Sequence, residues 1–136
     1  MEKIYSKIEP DKLLHMINTK QNITTTRCNI SPPDEFLQVS CFELPKDKTF
    51  RPHYHIPLER YTTITQESWI VIQGKIKAIL YDTDQTIIAE RILNPGDISI
   101  TFYGGHNYVS LEENTLVYEY KTGPYMGLTK DKEFII

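Results

Sequence analysis

His53 and His55 stand one residue apart in Arg51-Pro52-His53-Tyr54-His55-Ile56-Pro57. In an extended segment their side chains leave the same face with Cα atoms about 6.6–7 Å apart, so two imidazoles can converge on one metal ion. Pro52 and Pro57 bracket the pair, remove backbone donors and suit the segment to a sheet edge or the mouth of a barrel. Arg51 precedes His53 by two residues, so the same extension points its guanidinium the same way. There it can take a carboxylate or phosphate through two hydrogen bonds, or simply pair with a surface acid. His-x-His alone is a short motif, and its plain alternative is two partly exposed strand histidines.

An extended segment needs a β framework, and the chain supplies one from Phe36 onward. Short β-branched and aromatic runs, separated by turn residues, predict strands at Phe36–Leu44, Ser68–Gln73, Ile76–Tyr81, Ile87–Leu93, Asp97–Phe102, Tyr108–Leu111 and Thr115–Tyr120. Ile98, Ile100 and Phe102 alternate with Asp97, Ser99 and Thr101, as a strand with two unlike faces requires. Gly74 separates two runs, Asp82-Thr83-Asp84-Gln85 makes a polar hairpin tip, and Asn94-Pro95-Gly96-Asp97 is a turn with Pro and Gly at its centre. Upstream, residues 9–20 carry Pro10 in a first turn and an apolar stripe of Leu13, Leu14 and Ile17, which predicts a short N-terminal α-helix. The expectation is one all-β domain: a helix and irregular arm over 1–35, packed on a barrel over 36–136 that ends in a C-terminal extension.

Composition narrows the partners. With 136 residues and 40% hydrophobic content, the chain can bury roughly two thirds of its unfolded surface and needs no metal or disulfide to fold. Lys plus Arg number 15 against 18 Asp plus Glu, a net charge of −3 that offers nucleic acid no basic excess. The N-terminus lacks the apolar core of a signal peptide and no run is long enough to span a bilayer, so a cytoplasmic protein without membrane partners is expected. Cys28 and Cys41 form no CxxC motif and are too few for a disulfide scaffold, which leaves them as small, partly buried thiols. No phosphate loop, GxSxG elbow or Cys/His nucleophile pattern is present.

The remaining chemistry-bearing residues complete a recognisable order. Glu67-x6-Gly74 heads the strongest predicted strand, and His106 lies in Tyr103-Gly104-Gly105-His106-Asn107, beyond Pro95-Gly96-Asp97. His-x-His, then Glu-x6-Gly, then Pro-Gly-Asp and a late His resembles the two-motif pattern of the cupin superfamily. That resemblance implies a jelly-roll barrel, a double-stranded β-helix. It also implies one divalent transition metal (Fe, Mn, Ni, Co or Zn) held by His53, His55, Glu67 and His106, with positions left open for water or substrate. Two departures stand out. Residues 56–66 separate His55 from Glu67, far more than the usual cupin spacing, so that literal spacing selects Glu59 as the carboxylate. Glu59, however, leads to Gln66 where the pattern needs glycine, which favours Glu67 and makes 56–66 an inserted loop able to carry Arg60 and Tyr61 toward a substrate. The late motif has Phe102 in place of proline and its histidine one residue early, a path that the Gly104-Gly105 pair can absorb through positive φ.

Within the cupins, the chain is similar to the WbuC family of cupin-fold metalloproteins from about Arg27 to the C-terminus. The carriers are Asn29 with Asp34, Arg51-Pro52-His53-Tyr54-His55, Glu67 with Gly74, and Lys121-Thr122-Gly123-Pro124-Tyr125 followed by Asp131-Lys132-Glu133-Phe134. The resemblance implies a setting in bacterial surface-polysaccharide biosynthesis and a homodimer, with a carbohydrate or organic acid as ligand, but no settled reaction.

Three activities follow as expectations. The first is a metal-dependent isomerase or epimerase of a sugar or nucleotide-linked sugar, in which the metal polarises an oxygen and Tyr108 or Glu59 moves the proton. The second is a non-haem iron oxygenase. The third is a non-catalytic module that binds a small acid or sugar. A metal-free variant resembles the cupin sugar ketoisomerases, which use the His-x-His pair for proton transfer. Among the nine tyrosines, Tyr103 is a further candidate to stack on substrate, and most of the rest are strand residues with wetted hydroxyls. His15 is expected at an exposed or boundary position of the N-terminal helix.

Overall fold

Among the described residues ten strands form where the branched and aromatic runs are punctuated by turns. The computed structural model describes residues 1–135; Ile136, the last residue of the expected barrel, lies outside the described residues. In chain order the strands are β1 (Glu2–Tyr5), β2 (Leu13–Asn18), β3 (Cys28–Asn29), β4 (Ser40–Cys41), β5 (Glu67–Gln73), β6 (Ile76–Tyr81), β7 (Ile87–Leu93), β8 (Ile98–Thr101), β9 (Gly105–Ser110) and β10 (Leu116–Lys121). A 3-10 turn at Lys20–Asn22 and the single-turn helix α1 (Leu128–Asp131) are the helical elements among the described residues.

The strands pair antiparallel in three sheets, ordered β1-β2-β8-β5-β10, β7-β6-β9 and β3-β4. The two larger sheets face one another across an apolar layer. Ile4, Ile17 and Val71 of the first meet Ile76, Ala78, Leu80, Ala89 and Leu93 of the second. On its other face the five-stranded sheet buries Met16, Ile98, Ile100 and Phe102 under Ile30, Leu37, Val39 and Cys41. β2 and β8 are therefore covered on both sides. The hairpin tip at Asp82–Gln85 closes with Gln85 at φ 70°, and the Asn94–Asp97 turn places Gly96 at φ 91°. All-β architecture is thus established, while the sheets do not close into one barrel among the described residues.

Two expectations about the N-terminal half are corrected. Residues 9–20 do not form a helix: they comprise a turn, the strand β2 and the start of the 3-10 turn, and β1 and β2 belong to the main sheet rather than to an external arm. The cause is burial on both faces. Leu14, His15, Met16, Ile17 and Asn18 are all buried, and a strand covered on two sides loses the alternation that tells it from a helix. The predicted strand Phe36–Leu44 shrinks to Ser40–Cys41, because Pro32-Pro33 and a hydrogen bond from Leu37 N to the Gln66 side chain hold its first half irregular. Downstream, the six predicted strands match β5 to β10 with small changes at their ends. Among the described residues no helix is long and apolar enough to cross a membrane.

Candidate functional site

β5 and β9 lie in different sheets, and each delivers an acid–base group to the space between them. Alternation along β5 sends Glu67 and Trp69 to the inner face, opposite Thr101 and Ser99 of β8. Along β9, His106 and Tyr108 share a face, opposite Leu80 and Ala78 of β6, with ring centroids 5.3 Å apart. The groups line a cavity of about 560 Å³ together with Lys132 and Phe134 of the C-terminal segment.

Glu67 is 5% exposed and well supplied with partners. Its Oε1 accepts from His106 Nε2 at 2.9 Å and from the Trp69 indole at 2.9 Å. Its Oε2 has the ammonium groups of Lys121 and Lys132 each 3.9 Å away. Burial pushes the carboxyl up, yet the hydrogen bond and charge of His106, the Trp69 indole and the Lys132 charge prevail and hold its pKa down at about 2. Glu67 is consequently an anion that only accepts, which puts the proton of this contact on His106 Nε2. His106 Nδ1 is buried with no hydrogen-bond partner among the described residues.

Aromatic and cationic groups shape the rest of the cavity. The Trp69 and Tyr108 rings stack with centroids 4.3 Å apart and planes 20° from parallel. Burial pushes the Tyr108 phenol up, and its hydroxyl donates to Ser99 Oγ at 3.1 Å, so Tyr108 holds its proton at neutral pH. Lys121 is steered by Asp131, whose carboxylate accepts from it at 2.7 Å and from Thr65 Oγ1 at 3.1 Å. Behind the cavity His15 is fully buried. Its Nε2 donates to the Tyr81 carbonyl at 3.0 Å, which leaves Nδ1 to accept from Thr101 Oγ1 at 3.1 Å. His15 is thus not the exposed or boundary helix residue expected from the sequence.

The predicted site residues divide into two groups. Glu67, His106 and Tyr108 come together. His53 and His55 also meet, with ring centroids 5.5 Å apart, but on an exposed segment outside the sheets and away from that cavity. Arg51, Glu59, Arg60 and Tyr61 lie on the same exposed segment, and Tyr103 is half-buried with Lys12 over its ring at 5.4 Å. None of these five lines the cavity. Gly104 adopts φ 76°, as expected at that turn; Gly105 does not adopt a positive φ.

Glu67 Oε1 and His106 Nε2 are donor types that a divalent transition metal accepts, and coordination there would require Nε2 to give up the proton it donates to Glu67. Among the described residues no group of three or more His, Cys, Asp or Glu is gathered so as to hold a metal ion.

Sequence reasoning missed Trp69, Lys121, Lys132 and His15. Trp69 had a signal, its i, i+2 spacing from Glu67, which puts both on one strand face. The lysines had none, since Lys121 faces Glu67 through the register of the β10-β5 pair and Lys132 approaches it only as the C-terminal segment folds back. No family model, curated protein or solved structure matches the chain.

Proposed function

We propose that the chain is a cupin-type jelly-roll enzyme acting on a sugar or nucleotide-linked sugar, of the isomerase or epimerase kind, in bacterial surface-polysaccharide biosynthesis. The observation that carries the reading is the Glu67–His106 pair, 2.9 Å apart at an aromatic-walled cavity between the sheets. His106 and Glu67, joined by His53 and His55, are the residues that would hold a divalent transition metal. Such an ion supplies Lewis acidity to a substrate oxygen. The indole of Trp69 suits the apolar face of a sugar ring, and Lys132 suits a phosphate or carboxylate.

Two features support recruitment of the second histidine pair. β9, which carries His106, is an edge strand of its sheet among the described residues, and an edge can accept another strand. The segment around His53 has the alternation such a strand needs. Tyr54, Ile56 and Leu58 are 86%, 75% and 66% exposed, and they interleave with His53, His55 and Pro57. Docking on β9 with His53 and His55 on the face of His106 would bring both imidazoles to the cavity and leave Tyr54, Ile56 and Leu58 on the outer face of the sheet.

The test is metal analysis and titration calorimetry on the parent, on His106→Ala and on His53→Ala/His55→Ala, followed by a panel of sugar nucleotides. One metal per chain, lost in both variants, with turnover of a panel member, is the expected result. Metal-independent binding without turnover would favour a non-catalytic binding module. Iron with substrate-dependent oxygen uptake would favour the oxygenase.

A further inference from the structure

Cys28 and Cys41 are separated by a stretch of chain that includes Pro32 and Pro33, yet they are direct partners. Cys28 is the Cα partner of Cys41 across the β3-β4 pair, with Asn29 opposite Ser40. Opposed residues of an antiparallel pair have Cα atoms about 4.5–5.5 Å apart and side chains on the same face. That range lies inside the roughly 4.4–6.8 Å that a disulfide spans. Both cysteines are free and partly exposed, so a small reagent can reach them without unfolding.

We propose that Cys28 and Cys41 are a redox-active dithiol that closes to a disulfide through exchange with a low-molecular-weight disulfide. The two thiols are not equivalent. Cys41 packs beside the Met16, Ile98 and Ile100 cluster and its Sγ accepts from Asn18 Nδ2 at 3.7 Å. Burial and the neighbouring Cys28 sulfur raise its pKa. Cys28 is therefore the attacking thiol and Cys41 the resolving one. The Cys28 thiolate attacks one sulfur of the small disulfide, forming a mixed disulfide and expelling one small thiolate. Cys41 then loses its proton and attacks the Cys28 sulfur, expelling the second. The protein dithiol is oxidised, the small disulfide is reduced to two thiols, and no other reactant is required.

The bond matters because of where it sits. A ladder of two residues is marginal by itself, and beyond Cys41 the chain runs without regular structure to Gln66. A covalent tie at Cys41 fixes the root of that segment to β3, whatever the Glu67 cavity binds.

The experiment equilibrates the full chain in glutathione buffers from fully reduced to fully oxidised, quenches with a maleimide and reads intact mass. A sample of each is digested briefly with a protease that cuts within 42–66. The expected result is loss of both alkylatable thiols in a monomer lighter by two hydrogens, with cleavage in 42–66 slowed several-fold. Cys41→Ser should stop at the glutathione adduct on Cys28. The proposal is overturned if both thiols stay alkylatable in the parent at the oxidised limit, if only intermolecular disulfides form, or if cleavage is unchanged by oxidation. Measurements on the parent alone suffice should the variant fail to fold.

Discussion

Glu67 of the five-stranded sheet and His106 of the three-stranded sheet meet through a 2.9 Å hydrogen bond, so a charged polar contact bridges the two layers at the cavity, beside the Tyr108–Ser99 hydrogen bond that also joins them. Removing the carboxylate leaves the Trp69 indole and the His106 ring without their shared acceptor. Glu67→Ala is expected to destabilise the fold by about 2 kcal/mol in urea denaturation. In a double-mutant cycle with His106→Ala the coupling should reach about 1 kcal/mol. Strict additivity would mean that the contact contributes nothing to stability.

His15 gives the fold a specific acid sensitivity. Burial dominates and, with the nearby His106 charge, lowers its pKa from 6.5 to about 4, although the Tyr81 carbonyl and Asp82 pull the other way. Between those values the unfolded chain takes up a proton that the folded chain refuses. Stability is therefore complete above pH 6.5 and falls as the pH drops toward 4, by about 3 kcal/mol from this group. Glu67 also loses its contribution on acidification, but lower down, as the pH falls from 4.5 toward 2. His15→Gln should flatten the stability profile between pH 6.5 and 4 and leave the lower limb intact. Parallel profiles for the two proteins would refute the assignment.

The second half of the chain was legible because its strands bury one face. β6 alternates cleanly, with Ile76, Ala78 and Leu80 inside, and its turns carry glycine or Asp-rich tips. β2 was illegible for the opposite reason, since both its faces are covered and its sequence keeps no strand period. The site was half legible. Glu67 and His106 announced themselves through glycine-punctuated strands, and the register of the sheets brings them together. Lys121 faces Glu67 across the β10-β5 pair and Lys132 reaches it through the C-terminal segment, both long-range arrangements with no local signature. The opposition of Cys28 to Cys41 is likewise a fact of pairing across an irregular loop, and no spacing rule encodes it.

Asp82 ties the N-terminus to the β6-β7 hairpin. It is 2% exposed and accepts from Ser6 Oγ at 2.6 Å, Lys7 N at 2.7 Å and Thr83 N at 2.8 Å. Asp82→Ala strands these donors and is expected to destabilise the protein by about 2 kcal/mol. Hydrogen exchange should show the loss concentrated in β1 and the hairpin. A uniform loss across the sheets would argue against a local staple.

Gly104 sits where the chain enters β9, two residues before His106, and its φ of 76° is a region that side chains rarely adopt. A Cβ at Gly104 would stand 2.5 Å from the Tyr81 carbonyl oxygen and 3.2 Å from His15 Nε2. It would therefore press on the acceptor that fixes the His15 tautomer while straining the turn that aims His106. Gly104→Ala is expected to destabilise by about 2 kcal/mol. Gly105 offers the control, because its φ is not positive and the nearest obstacle to a Cβ is the flexible end of Ile135. Gly105→Ala should cost less than about 1 kcal/mol by the same measurement. Equal losses at the two positions would show that crowding in β9, rather than the left-handed backbone of Gly104, sets the requirement for glycine.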